Sequence, residues 1–492
     1  HRYPLTHPMK RPRIKSILLL FLSRFIHKSS CFSIVPLSQR ALLDYVRCPK
    51  YLTAAAPSLL RASPSTATTA VGAEKTCADK PSTPPFEHPL LRYAAKTRRR
   101  VNATPLAVPK PLCRDSPLVS QSVFEYGDLR PDGGGGANAC EETRLYDQLV
   151  RCGFAVFHLG EEEGLQMGHL WDYVRTFFDQ TADWAGGSIP QLAVVPGSAT
   201  PLTKTGYVSY PSQGMEFLET RLHRQSGKLL PKEVASILAD KKVLRCAVEA
   251  QKTLTRVGMD ALETVMQYAL AQGEDKAARA AAQKIVRGMV DDGTCASPSG
   301  PEGGEDAVSM SPHRLCRYSF IPPSGGDGGA CDERESFGAH TDTSFLTLVP
   351  AGEVAGLEVW IPDGSDDLKK GRWVRPEAIA AEHHRRLGRG GSGECDGDND
   401  QRWHRRYVCL MAGEVLEILS CGRITAVVHR VTSVRGGKDR FSAPLLLRSR
   451  VGVTMDLEKY YGGSMEGCGS TMFEYLKSID GMAMEEVHTI LQ

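Results

Sequence analysis

Residues capable of metal chemistry cluster in two stretches. His340 and Asp342 stand two apart in FGAHTDTSFLTLVP (337–350), and His429 lies in VVHRVTSVRGGKDRFSAPLLL (427–447). Read as a β-strand, the first stretch places His340 and Asp342 on one face, because successive side chains alternate sides. Two imidazoles and a carboxylate from two strands form the facial set that holds non-haem Fe(II) and leaves open positions for substrate and O2. Past a Gly-Gly turn, Arg440 and Ser442 again share a strand face. A guanidinium and a hydroxyl there can take the carboxylate of a co-substrate. His-x-Asp alone is a weak signal. Its weight comes from the setting, since both segments are otherwise apolar and β-branched, and burying polar groups in such strands is costly unless they are paired.

The segments HTDTSFLTLV, GLEVWI, GRWVRP, MAGEVLEILSCGRITAVVHRV and DRFSAPLLL together resemble the iron(II)- and 2-oxoglutarate-dependent dioxygenases of the isopenicillin N synthase-like family. The resemblance runs from about Ser122 to Leu447. It implies an all-β core, a double-stranded β-helix or jelly roll braced by α-helices, with a mixed α/β N-terminal domain. It implies catalytic iron held by His340, Asp342 and His429. Arg440 and Ser442 would grip the distal carboxylate of 2-oxoglutarate, with O2 as the other co-substrate. The implied activity is hydroxylation or desaturation of a small organic metabolite, releasing succinate and CO2. RLCRYSFIPPSGG matches the pocket-lining segment, which makes Tyr318 and Phe320 the expected substrate-side residues. Arg440 follows His429 by eleven residues, one more than in relatives, and a one-residue slip of register would turn it outward. Two other readings remain: an isopenicillin N synthase-like or ACC oxidase-like iron oxidase that does not use 2-oxoglutarate, and a non-enzymatic β-helix binding protein.

The elements that must position these residues occupy only part of the 492-residue chain. Residues 1–43 contain no acidic residue, and their apolar run ILLLFL is too short to span a bilayer. They read as a targeting leader, for a cytoplasmic or organellar protein with no stable membrane span. Residues 44–118 are rich in Ala, Ser, Thr and Pro and read as a disordered linker. The body divides by expectation into an N-terminal domain (119–230), bracing helices (231–310), the iron and 2-oxoglutarate domain (311–448) and a helical tail (449–492). A net charge of +3, without a basic stripe interleaved with aromatics, gives no support for nucleic-acid binding. The 14 cysteines show no CxxC pair and fit a reduced compartment. The expected partner is a small molecule, and the expected state a monomer.

Within the body, Cys140 to Val150 reads as a helix, GFAVFHL as a strand whose His158 is structural, and Gly164 to Asp179 as a second helix. MAGEVLEILSCGRITAVVHRV reads as two strands joined at Gly422. Ala380 to Arg406 reads as a solvated insertion, in which His383, His384, Cys395, Asp396 and Asp398 show no metal-ligand spacing.

Overall fold

Alternating apolar strands, covered on both sides, make the centre of this protein. The computed structural model describes residues 88–492 apart from 106–108, 110–115, 131–137, 182–189, 235–240, 272–275, 294–307, 322–332, 390–399, 435–436 and 462–467, and positions 197, 199, 225, 366 and 368. The chain divides into two units, His1–Ser82 and Thr83–Gln492, and every described residue belongs to the second. The expected leader therefore lies outside the described residues.

The strands are β1 (Val123–Glu125), β2 (Phe154–His158), β3 (Ala193–Val194), β4 (Lys204–Tyr210), β5 (Met215–His223), β6 (Lys228–Leu230) and β7 (His313–Tyr318). They continue as β8 (Glu333–His340), β9 (Leu346–Pro350), β10 (Leu357–Pro362), β11 (Gly371–Val374), β12 (Tyr407–Ala412), β13 (His429–Val434), β14 (Arg440–Ser442) and β15 (Leu445–Leu446). A larger sheet runs β1-β2-β12-β9-β15-β7-β5-β4-β3, with β14 paired to β7 and β6 to β5. A smaller antiparallel sheet runs β11-β10-β13-β8.

Strand β12 shows how the layers form. Tyr407, Cys409 and Met411 join a buried cluster with Leu357, Val359 and Ile361 of the smaller sheet. Val408, Leu410 and Ala412 face the other way, into a cluster with helical Leu149, Phe177, Leu254 and Leu262. A strand buried on both faces reads as a continuous apolar run, as YVCLMA does. Truncating a residue such as Leu410 to Ala would cost about 2–5 kcal/mol.

The helices used below are α1 (Pro89–Ala103), α2 (Ala139–Cys152), α3 (Glu161–Thr181), α4 (Lys241–Ala271), α5 (Lys276–Met289), α6 (Pro376–Arg389), α7 (Glu414–Leu419), α8 (Ser470–Ser478) and α9 (Met484–Leu491). Helices α2 to α5 supply most of the layer over the larger sheet. No described helix is long and apolar enough to cross a membrane.

Four expectations need correction. The linker assigned to 44–118 contains α1, whose Leu90, Tyr93, Ala94 and Thr97 are buried, a spacing of three and four that five basic neighbours obscure in the sequence. The segment 119–230 is not set apart, because β1, β2, β4 and β5 enter the same sheet as β7, β9 and β12. The insertion at 380–406 begins as α6, with Ile379, Ala380 and Glu382 buried. MAGEVLEILSCGRITAVVHRV forms one strand, then α7, and only reaches the next strand at His429. Glu414 to Leu419 are all buried, so their apolar run reflects a covered helix and not a strand. Cys421 and Gly422, both at positive φ, make the turn after it.

Candidate active site

His340 ends β8 and His429 opens β13, and the two are direct antiparallel partners. Their rings lie 4.1 Å apart, centroid to centroid. Asp342 follows β8 in the bend before β9, so it reaches the histidines through a turn and not through the strand alternation read from the sequence. The bend is held by the Glu414 N–H donating to the Asp342 carbonyl at 2.8 Å. The Thr347 hydroxyl donates to Asp342 Oδ2 at 2.7 Å and fixes the carboxylate.

His340 Nδ1 lies 2.8 Å from the Gly338 carbonyl and His429 Nδ1 3.2 Å from that of Val427. A carbonyl only accepts, so both Nδ1 atoms carry a proton, and in the neutral ring Nε2 presents the lone pair. Those Nε2 atoms stand 3.8 Å and 3.5 Å from the two oxygens of Asp342. Donors that each sit about 2.0–2.2 Å from a metal stand roughly 3–3.4 Å from one another, so little movement separates this arrangement from a coordinated one. Burial, then the neighbouring His429, pushes His340 down to about 4 and keeps it neutral. Burial by itself would raise Asp342, but His429 and His340 beside it hold the carboxyl below its usual range. The side chains are 30%, 13% and 6% exposed for His340, Asp342 and His429, so the approach to the cluster is on the His340 side.

Arg440 and Ser442, the residues expected to bind the co-substrate, sit on the inner face of the larger sheet. Arg440 pairs with Tyr318 and Ser442 with Cys316 across β14 and β7. Cys316 and Tyr318 share a buried cluster with Met215, Phe217 and, from the smaller sheet, Val431. Arg440 therefore faces inward, and the longer turn leaves the register intact. Its guanidinium lies 5.5 Å over the Tyr318 ring. Phe320 lies past the end of β7 and is half-buried.

Two residues shaping this pocket escaped the sequence reading. Glu377, in the first turn of α6, accepts from Arg440 Nη2 at 2.7 Å, and its other oxygen accepts from the Gly356 and Leu357 N–H groups at 3.0 Å each. Arg440 Nε and Nη1 are buried with no hydrogen-bond partner among the described residues. Gly356 makes room for the guanidinium, since a Cβ there would lie 2.7 Å from Arg440 Cδ and 2.4 Å from the Thr432 carbonyl oxygen. A proline–glutamate pair does signal a helix start, but its partner sixty-three residues on could not be read from it.

The residues fit the groups the chemistry calls for. Two imidazole lone pairs and an anchored carboxylate suit a divalent transition metal with open positions. Two buried N–H donors of Arg440 without a partner among the described residues leave it able to bond an acceptor besides Glu377.

No protein-family model matches the chain, and no curated protein does. Among solved structures, T7H of Neurospora crassa in complex with alpha-KG and 5-formyluracil is 12% identical, with a TM-score of 0.46, covering 74% of this chain and 93% of that one. The Arabidopsis thaliana dioxygenase for auxin oxidation 1, as its 2-oxoglutarate complex, is 15% identical with a TM-score of 0.43, covering 69% and 96%. The rice dioxygenase for auxin oxidation is 18% identical with a TM-score of 0.39, covering 66% and 82%. Likenesses this distant do not assign the chain to a family.

Proposed function

We propose that this chain is an Fe(II)- and 2-oxoglutarate-dependent dioxygenase of the isopenicillin N synthase-like kind, built on a double-stranded β-helix. It oxidises a small organic molecule and releases succinate and CO2. The observation that carries the proposal is the convergence of His340 Nε2, His429 Nε2 and the Asp342 carboxylate within 4.8 Å of one another, between two packed sheets. An inward Arg440 with two unsatisfied donors on the same inner face supports the co-substrate.

The division of labour follows from the contacts. His340, Asp342 and His429 would hold the metal, and Arg440 with Ser442 the distal carboxylate. Bound there, Fe(II) would supply the redox chemistry that couples 2-oxoglutarate decarboxylation to substrate oxidation by O2. Asp342 contributes the anionic charge, and the Thr347 hydroxyl keeps it oriented. The Gly338 and Val427 carbonyls keep both histidines in the tautomer that ligates. Met215, Phe217, Tyr318 and Val431 form an apolar wall that limits water. Tyr318 is the substrate-side residue these contacts favour, with Phe320 at its rim.

Glu377 favours a second reading. Its carboxylate already opposes the Arg440 charge, as suits an iron oxidase that needs no 2-oxoglutarate. Anaerobic titration of the Fe(II)-loaded full chain with 2-oxoglutarate decides between them. The proposal expects the visible charge-transfer band of the iron–2-oxoglutarate chelate, followed by succinate release in a metabolite screen. Iron loading without that band selects the second reading, and failure to load iron rejects both.

A further inference from the structure

A second group of two imidazoles and a carboxylate lies on other strands. Glu125 ends β1, His158 ends β2 and Tyr407 opens β12, and the pairing places all three in one row across the sheet. Helix α6 packs over β1, β2 and β12 and brings His383 above that row. One ligand atom from each of Glu125, His158 and His383 lies within 4.8 Å of the others.

The local contacts dispose these groups toward a cation. His158 Nδ1 stands 2.7 Å and 2.9 Å from the Glu125 oxygens. Its ring stacks on Tyr407 at 4.9 Å, and its Nε2 is buried with no hydrogen-bond partner among the described residues. His383 Nδ1 is 3.0 Å from the Tyr407 hydroxyl oxygen, a contact in which Nδ1–H can donate and Nε2 then presents its lone pair. Glu125 is half-exposed, with a side-chain accessibility of 48%, so an ion has a route in and the carboxylate has room to adjust. Arg406 and Arg386 act on Glu125 and His383 and oppose a bound cation, which makes this a weaker site than one without them.

We propose that Glu125, His158 and His383 form a second metal site that takes Zn(II) or a similar borderline divalent ion, joining helix α6 to the edge of the larger sheet. Three protein ligands leave a fourth, tetrahedral position for water. An ion takes the place of the hydrogen bond between His158 and Glu125, and because protons compete with the ion for both imidazoles, affinity falls in acid.

The test is equilibrium dialysis of the full chain against Zn(II), with bound metal counted by atomic emission in wild type, His383→Ala, Glu125→Gln and Asp342→Ala. Wild type should bind two equivalents, His383→Ala one, and Asp342→Ala one. Glu125→Gln keeps a hydrogen-bond acceptor for His158 and preserves the fold, yet should weaken the second equivalent at least about tenfold, as an anionic ligand is lost. If only one equivalent binds to wild type, is lost in His383→Ala and survives in Asp342→Ala, this site stands and the metal centre at Asp342 falls. Stoichiometry and affinity unchanged by both His383→Ala and Glu125→Gln overturn the proposal.

Discussion

Both clusters contain two histidines and a carboxylate, yet they differ in what their donors do without an ion. In the His340–Asp342–His429 cluster each Nδ1 is spent on a backbone carbonyl and the carboxylate is held by Thr347. The Nε2 atoms face Asp342 at 3.8 Å and 3.5 Å, at or beyond the limit of a useful hydrogen bond. In the Glu125–His158–His383 cluster the carboxylate is half-exposed and bonded to His158 at 2.7 Å. The first cluster is satisfied at its periphery and open at its centre. The second partly satisfies itself, and a metal must displace that hydrogen bond. Ligand identity therefore says little about affinity, whereas the partners of the remaining ring nitrogens and oxygens say a great deal.

The largest expected effect separates the clusters outright. Asp342→Ala should lower Fe(II) affinity beyond the roughly 10–100-fold typical of losing an outer partner, while Glu125→Ala leaves tight Fe(II) binding unchanged. Anaerobic dialysis with iron assay reads both, and an Asp342→Ala chain that keeps wild-type iron affinity would refute the assignment of the first cluster. Next is Arg440→Ala, which should spare iron and weaken 2-oxoglutarate by about 2–5 kcal/mol, roughly 30- to several-thousand-fold, followed by titration of the charge-transfer band. Gly356→Ala pushes a methyl against Arg440 and the Thr432 carbonyl. It should reduce 2-oxoglutarate affinity about tenfold with iron retained, at a stability cost of about 1–3 kcal/mol seen in denaturant melts. Ser442→Ala removes one hydrogen bond, about 0.5–1.5 kcal/mol, and should fall below the others in the same titration.

The smallest effect concerns acid, where metal loss from either cluster has to be told apart from unfolding. Burial pushes His313 down to about 4 and His488 down to about 3. His488 Nε2 accepts the Ser449 N–H while its Nδ1–H donates to the Thr343 carbonyl, an arrangement only the neutral ring can make. Below the unfolded value near 6.5 the unfolded chain takes up protons that the folded one refuses. Stability should therefore be level from pH 8 to about 6.5 and fall progressively below it, with a Tm series showing a shallower acid slope for His488→Gln. A Tm independent of pH between 6.5 and 4 would contradict the neutral buried state.

The His340–Asp342–His429 cluster and the inward placing of Arg440 and Ser442 were legible because each lies in a short apolar segment where spacing maps onto a strand face. Even there the route to Asp342 was misread, since β8 stops at His340 and a bend held by Glu414 and Thr347 completes the site. The second cluster was hidden for a different reason. His158 and His383 make sense only through the pairing of β1, β2 and β12 and the packing of α6 on them, contacts between distant parts of the chain. Glu377 beside Arg440 is another such contact. In α1 the apolar stripe was present in the sequence, but Arg92, Lys96, Arg98, Arg99 and Arg100 around it gave the composition of a solvated segment.

Helix α1 also sets an order of events during synthesis. Arg100 grips the Glu417 carboxylate through two donors, at 3.3 Å and 3.0 Å, across a sequence separation of 317. Tyr93 packs edge-on against Tyr475 of α8, at 5.4 Å between ring centroids. At ribosomal rates of about 5–20 residues per second, roughly 15–60 s separates the emergence of Arg100 from that of its partner. A helix of 15 residues is marginal alone in water, so through that interval α1 has neither its own stability nor a surface to rest on. Leu90 and Tyr93 stay available to any apolar surface, including that of a chaperone, until α7 and α8 arrive. The stretch that leaves the ribosome before the rest of the described fold is thus among the last to find its place.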